Sequence, residues 1–145
     1  PLHIACNIDA PLDVDVVQYL VQEHPKSLQA TNTNGALPLH LACNSDAALE
    51  VIRYLVQEYP GSLQLTDADG LLPLHYACCS EAPLLDVVRY LVHAYPEFLQ
   101  VTNNDGNLPL HHACDRDAPL DVVFYLVREY PESLQVRPQQ QKGTH

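Results

Sequence analysis

The sequence predicts an all-α repeat solenoid, in which stacked helix-loop-helix pairs are joined by β-turn or hairpin fingers. Three observations carry that reading. Pro-Leu-His recurs with its proline at Pro1, Pro38, Pro73 and Pro109, at spacings of 37, 35 and 36 residues. A Tyr-Leu-Val triplet recurs in step, starting at Tyr19, Tyr54, Tyr90 and Tyr125. Between units lie TNTNGAL, TDADGLL and TNNDGNL, whose Asn-Gly and Asp-Gly pairs supply the positive backbone angles of tight turns. One unit of this size cannot bury enough apolar surface by itself, but stacked units cover one another's faces.

Each element follows from local chemistry. The Pro-Leu-His proline opens a short helix, because a first helical turn loses nothing by a missing N–H. An inner loop follows. It starts at a small residue (Ala10, Ala47, Ala82, Ala118) and carries Pro11, Pro83 and Pro119, with Ala48 in the remaining unit. All length variation falls between that alanine and the tyrosine, so the extra residues are expected to lengthen the start of the second helix. That helix has the right period: Ile52, Leu55, Val56 and Tyr59 stand at i, i+3, i+4 and i+7, as do Val123, Leu126, Val127 and Tyr130. Asp15, Glu50, Asp86 and Asp121 lie near its start, where the helix dipole favours an acid. Pro25, Pro60, Pro96 and Pro131 stop it. Gly35, Gly70 and Gly106 then turn the fingers. Leu39, Ala42 and Cys43 are expected to fill one seam between units, with Ile52 and Leu55 beside them. The array is expected over residues 1–136, in units of about 1–30, 31–65, 66–101 and 102–136. The polar stretch 137–145 has no apolar period and reads as disordered or linker-like.

Composition narrows the function classes. With 145 residues, 47% of them apolar, the chain suits one folded domain. Its apolar runs are short and interrupted, so no membrane span is expected, and no signal-peptide pattern is present. It starts at proline and holds no methionine, which reads as a piece of a longer chain. Seven Lys and Arg against eighteen Asp and Glu give a net charge of −11. That balance repels phosphate backbones and anionic lipid, and argues against nucleic acid or membrane as partner. A protein partner with a basic or neutral surface suits it better.

The string D-x-x-G-x-L-P-L-H-x-A-C, followed by L-D-V-V-x-Y-L-V, resembles the ankyrin repeat, here in variant units of 35–37 residues. The resemblance covers nearly all of residues 1–136. There are departures: Leu37, Leu72 and Leu108 stand where the family carries threonine, so a capping hydroxyl is absent. YPESLQV-type segments also replace the usual glycine-rich link. The resemblance implies a non-catalytic interaction module, with His3, His40, His75 and His111 structural and each ring tying its turn to the backbone. It also implies that partners meet the finger tips and the exposed side of the short helices. Those positions are Ile4, Thr33, Asn34, Ala36, Leu41, Ala68, Asp69, Leu71, Tyr76, Asn104, Asp105, Asn107 and His112, with Tyr76 and Leu71 the expected hot spots. They vary between units while their neighbours hardly change.

Other chemistry finds little purchase. Recurring His and Cys invite a zinc reading, yet equivalent residues of packed helices lie about 8–10 Å apart. A zinc ion holds its ligands at about 2.0–2.3 Å. The pair His111 and Cys114 shares a helix face but supplies only two ligands, so no metal and no cofactor is expected. Disulfides need Cα atoms within about 7 Å, which the same spacing denies. Cys6, Cys43, Cys78 and Cys114 read as small buried hydrophobes, and Cys79 as partly exposed and reactive. Unpaired thiols point to a reducing, intracellular compartment, the cytoplasm first. The cluster His111, His112, Asp115 and Asp117 imitates an acid/base site, but its acids have analogues at Asp9, Asp46 and Glu81 and read as solvated loop charge. No catalytic residue is assigned. An architectural role stays open beside partner binding, with the end faces or the convex side holding an assembly together.

Overall fold

The computed structural model describes residues 2, 13–45, 47–80 and 85–135. These form seven α-helices and no strand. The long helices are α1 (Val14–Glu23), α3 (Leu49–Glu58), α5 (Leu85–Ala94) and α7 (Leu120–Glu129). The short ones are α2 (Pro38–Asn44), α4 (Pro73–Cys79) and α6 (Pro109–Asp115). The first unit's short-helix segment, with His3, Ile4 and Cys6, lies outside the described residues apart from Leu2, which is buried in the core. The same is true of Asp9, Asp46, Glu81 and the segment 137–145.

Every long helix is ten residues long and carries its tyrosine at the sixth position. The length differences between units therefore fall outside these helices and do not lengthen their starts. A helix of fixed length keeps all its apolar side chains in register with the neighbouring unit. The acids Asp15, Glu50, Asp86 and Asp121 do lie in the first turns. The prolines after the long helices do more than stop them. Each opens a five-residue 3-10 helix, at Pro25–Gln29, Pro60–Gln64, Pro96–Gln100 and Pro131–Gln135. In the first and second of these the serine hydroxyl (Ser27, Ser62) returns to a backbone carbonyl. The penultimate leucine of the first three (Leu28, Leu63, Leu99) is buried.

The core is one continuous layer running through the stack. Leu39, Ala42, Cys43, Ile52 and Leu55 are all buried in it. Short helices pack on one another more closely than the long helices do. The outermost unit shows what stacking contributes. Leu134 is 70% exposed, whereas its register mates Leu63 and Leu99 are at 3% and 5%. Phe124 and Leu120 are likewise exposed on that face.

Leu55→Ala, in the filled seam, is expected to lower the unfolding free energy by about 2–5 kcal/mol. Leu134→Ala, at the same register as three buried leucines, should change it by less than about 0.5 kcal/mol. Urea melts of both variants check the contrast, and equal costs would contradict the stacked core.

Candidate protein-binding surface

The short helices have no side-chain cap from Leu37, Leu72 or Leu108. The histidine three residues on instead accepts from the N–H of that leucine. The N–H groups of Leu37, Leu72 and Leu108 donate to Nδ1 of His40, His75 and His111 at 2.9, 3.0 and 2.9 Å. An accepting Nδ1 places the ring proton on Nε2. In His40 and His75 that Nε2–H donates to the carbonyls of Leu65 and Val101, at 3.0 and 3.1 Å. Each ring thus ties the start of its short helix to the segment of chain leaving the same unit. Burial pushes both imidazoles down, His75 to about 4. With both ring nitrogens committed, neither ring keeps a lone pair for a metal. Among the described residues no three His, Cys, Asp or Glu side chains converge on one point.

The fingers are held by a residue that the sequence pattern alone did not bring forward. The Asn-Gly and Asp-Gly pairs give the turn signal, but the anchor is the Asx residue three positions before each glycine. Asn32 Oδ1 accepts from the N–H groups of Asn34 and Ala36 at 2.9 and 3.0 Å. Asp67 Oδ1 accepts likewise from Asp69 and Leu71, and Asn103 Oδ1 from Asp105 and Asn107. A side chain mimicking a backbone turn in this way fixes the tip without a strand. Gly35, Gly70 and Gly106 have φ of 76°, 80° and 80°. Neighbouring fingers are linked: Ala68 N–H donates to the Asn34 carbonyl and Asn104 N–H to the Asp69 carbonyl, both at 2.9 Å. The Asn104 amide also donates to the Ala68 carbonyl at 3.1 Å.

The structure divides the candidate surface residues. Thr33, Asn34, Ala68, Asp69, Asn104 and Asp105 are exposed at the tips, while Leu41, Leu71, Tyr76, Asn107 and His112 are half-buried. Ile4 lies outside the described residues. Ala36 is a correction. At 1% exposure it belongs to the core, because the Asx turn folds its N–H inward and carries the methyl beneath the finger.

Tyr76 and His112 are partly engaged in holding the fold. Tyr76 donates its hydroxyl to Asp67 Oδ2 at 2.5 Å and lays its ring against His40, centroids 5.0 Å apart. Burial first, then the Asp67 bond, raises its phenol well above the ordinary value. His112 meets His75 edge to face at 5.4 Å, and its Nε2 lies 3.2 Å from the Asn103 amide nitrogen. Because Asn103 Oδ1 already accepts two N–H bonds, Nδ2 is the donor and His112 Nε2 the acceptor. Burial pushes His112 down as well. So Tyr76 and His112 each pack on the preceding unit's capping histidine and brace their own finger.

Two of the cysteines, Cys114 and Cys79, depart from expectation. Cys43 and Cys78 are buried, but Cys114 is exposed, since no further short helix among the described residues covers it. Cys79 is partly exposed, yet burial lifts its thiol to about 11, which keeps it protonated and a poor nucleophile.

Comparison with known proteins settles the family. A family model described as ankyrin repeats (3 copies) matches residues 59–137, over half of the chain. A second, ankyrin repeats (many copies), matches residues 19–77. The chain belongs to the ankyrin repeat family. No curated protein matches it. Ankyrin repeats are generally protein–protein interaction modules, and typically non-catalytic. No described helix is long and apolar enough to cross a membrane. In this ankyrin array the fingers and the short-helix face make up the candidate surface.

The finger and capping geometry can each be tested by stability. A Cβ on Gly70 would lie 2.5 Å from Asn104 Oδ1 at a backbone angle disfavoured for other residues. Gly70→Ala is therefore expected to cost about 1–2 kcal/mol and to raise amide exchange at Asn104. The capping histidine makes stability depend on pH. The unfolded chain protonates each imidazole near 6.5, whereas folded His75 resists until about 4. Stability should thus be full above about pH 6.5 and fall on acidification towards pH 4, with up to about 3 kcal/mol from His75. Urea midpoints at pH 7.5 and pH 5 measure the drop. His75→Gln should flatten part of that slope, and an unchanged slope in this variant would contradict the assignment.

Proposed function

We propose that the chain is a non-catalytic interaction module that holds a protein partner through its finger tips and the inner face of its short helices. One observation carries the reading. Three fingers are fixed in register by Asx turns and by backbone bonds between neighbours, yet their exposed tips differ chemically from unit to unit. A rigid frame with variable tips favours recognition, since little order has to be gained on binding. Asp69 and Asp105 point the choice towards a basic or neutral protein surface, and the net charge of −11 speaks against nucleic acid. Tyr76 and Leu71, both half-buried, remain the proposed hot spots. On this reading the array spans residues 1–136 and works in a reducing compartment, where thiols such as Cys114 stay free.

A second reading rests on the outer face of the last unit, where Leu120, Phe124 and Leu134 are exposed. Apolar groups gathered there suit stacking against another subunit or unit, an architectural role that leaves the fingers free.

The triple change Asp69→Lys, Asp105→Lys and Tyr76→Ala separates the two. Partner capture from the source cells, followed by titration of the captured protein, should show at least about a tenfold loss in affinity, equivalent to about 1.4 kcal/mol. A partner retained at full affinity, with the variant's helical signal unchanged, would overturn finger recognition and favour the end-face role.

A further inference from the structure

The long helices carry a ladder that interaction through the fingers does not use. At their fifth position stand Gln18, Arg53, Arg89 and Phe124, and at the sixth Tyr19, Tyr54, Tyr90 and Tyr125. Arg53 places its guanidinium carbon 5.6 Å from the centroid of the Tyr90 ring in the next unit. Arg89 does the same over Tyr125, at 5.8 Å. Twice, then, an arginine of one unit lies over the tyrosine of the following one, within the range of cation–π attraction.

Between α1 and α3 that arrangement is broken. Gln18 occupies the arginine position, and a cleft of about 490 Å³ opens beside Tyr54, lined also by Val21, Gln22, Glu58 and Tyr59. Its volume falls within the range of ligand clefts, about 300–1,000 Å³. The electrostatics differ in the same sense. Tyr125 feels the acid Glu129 together with two cations, Arg89 and Arg128, whereas Tyr54 feels Glu58 while Gln18 brings no charge. The first seam thus keeps the aromatic ring and the carboxylate of the last one, with a neutral amide in place of the cation.

We propose that the cleft between α1 and α3 binds an arginine side chain from a basic segment of a partner protein, its guanidinium lying over the Tyr54 ring beside Glu58. The chain's own pairs, Arg53 on Tyr90 and Arg89 on Tyr125, are the precedent for this occupant. A guanidinium is planar and weakly hydrated, so it stacks on a ring face where an ammonium stays with its water. Gln18 and Gln22 offer amide oxygens to its remaining N–H groups, and the net charge of −11 attracts a basic segment. The cleft lies on the long-helix side, away from the fingers, so this site is independent of the surface proposed above.

The probe is the tripeptide acetyl-Gly-Arg-Gly-amide, titrated into the chain with amide chemical shifts read by NMR. Counterparts carry citrulline, a neutral near-isostere, or lysine. The arginine peptide should shift the amides around Gln18, Tyr54 and Glu58, with the citrulline and lysine peptides at least about fivefold weaker. Gln18→Arg puts the missing guanidinium in place from within, as Arg53 and Arg89 already do, and should abolish those shifts with the helical signal unchanged. Should that variant fail to fold, Glu58→Gln decides: weakening of several-fold supports the site and unchanged binding overturns it. Citrulline or lysine binding as well as arginine, shifts persisting in folded Gln18→Arg, shifts confined to the fingers, or none at millimolar peptide each overturn the proposal. Asp69→Lys with Asp105→Lys should leave this titration unaltered, so its failure is distinguishable from failure of the finger reading.

Discussion

The structure depends on a neutral imidazole used as a two-ended strut. His40 and His75 each accept the N–H at the start of a short helix and donate to a carbonyl about twenty-five residues further along. A helix start leaves N–H groups without intrahelical partners, and burying them unpaired is costly. The ring meets that need from inside the helix, so the leucine before the proline is free to be apolar. Leu37, Leu72 and Leu108 are accordingly buried. The capping hydroxyl that these units lack is replaced by apolar area, and the imidazole meets a different donor, the N–H of the leucine itself.

That strut also governs what chemistry the repeated histidines can do. A ring with one nitrogen accepting and the other donating has no free lone pair and no proton to pass on. Its protonation would convert the Nδ1 acceptor into a donor facing another donor. Burial already opposes the charged form, and the bonding pattern points the same way. The recurrence of histidine beside cysteine thus follows from the needs of a helix start and a close-packed seam, repeated once per unit. Cys43 and Cys78 lie in that seam as small apolar fillers.

Most of the fold was legible because repetition converts weak local signals into strong ones. One Asn-Gly or one i, i+3, i+4 pattern is ambiguous, whereas the same pattern at matching registers is not. The positions that escaped have identifiable reasons. The 3-10 helices after Pro25, Pro60, Pro96 and Pro131 were hidden because proline both ends one helix and opens the next. Ala36 falls at a free position of the repeat motif, but an Asx turn anchored on Asn32 draws it inward. Cys114 looked buried by analogy with Cys43 and Cys78, although its burial depends on a neighbour and not on its own residue type. Tyr76 and His112 stood out as variable. Their bonds to Asp67 and Asn103 needed the fold, because nothing in a nine-residue separation announces contact between finger and helix.

Equivalent positions in a stack behave as internal controls, and departures from the common pattern are then informative in proportion to what the neighbours require. Where Tyr76 replaces Leu41, the change is compensated locally: the hydroxyl finds Asp67, which is asparagine in the unit that has leucine. Where His112 follows, Asn103 supplies the donor its ring accepts. These are matched pairs, so variability in the helix row is partly a record of finger bracing, and recognition has to be read chiefly from the tips. The long-helix ladder is different in kind. Gln18 stands in a row whose next two members reach across to a tyrosine, and no compensating cation is brought by its own seam's Tyr54 and Glu58. A position whose partners retain their usual chemistry while it does not is where the stack leaves an interaction half made.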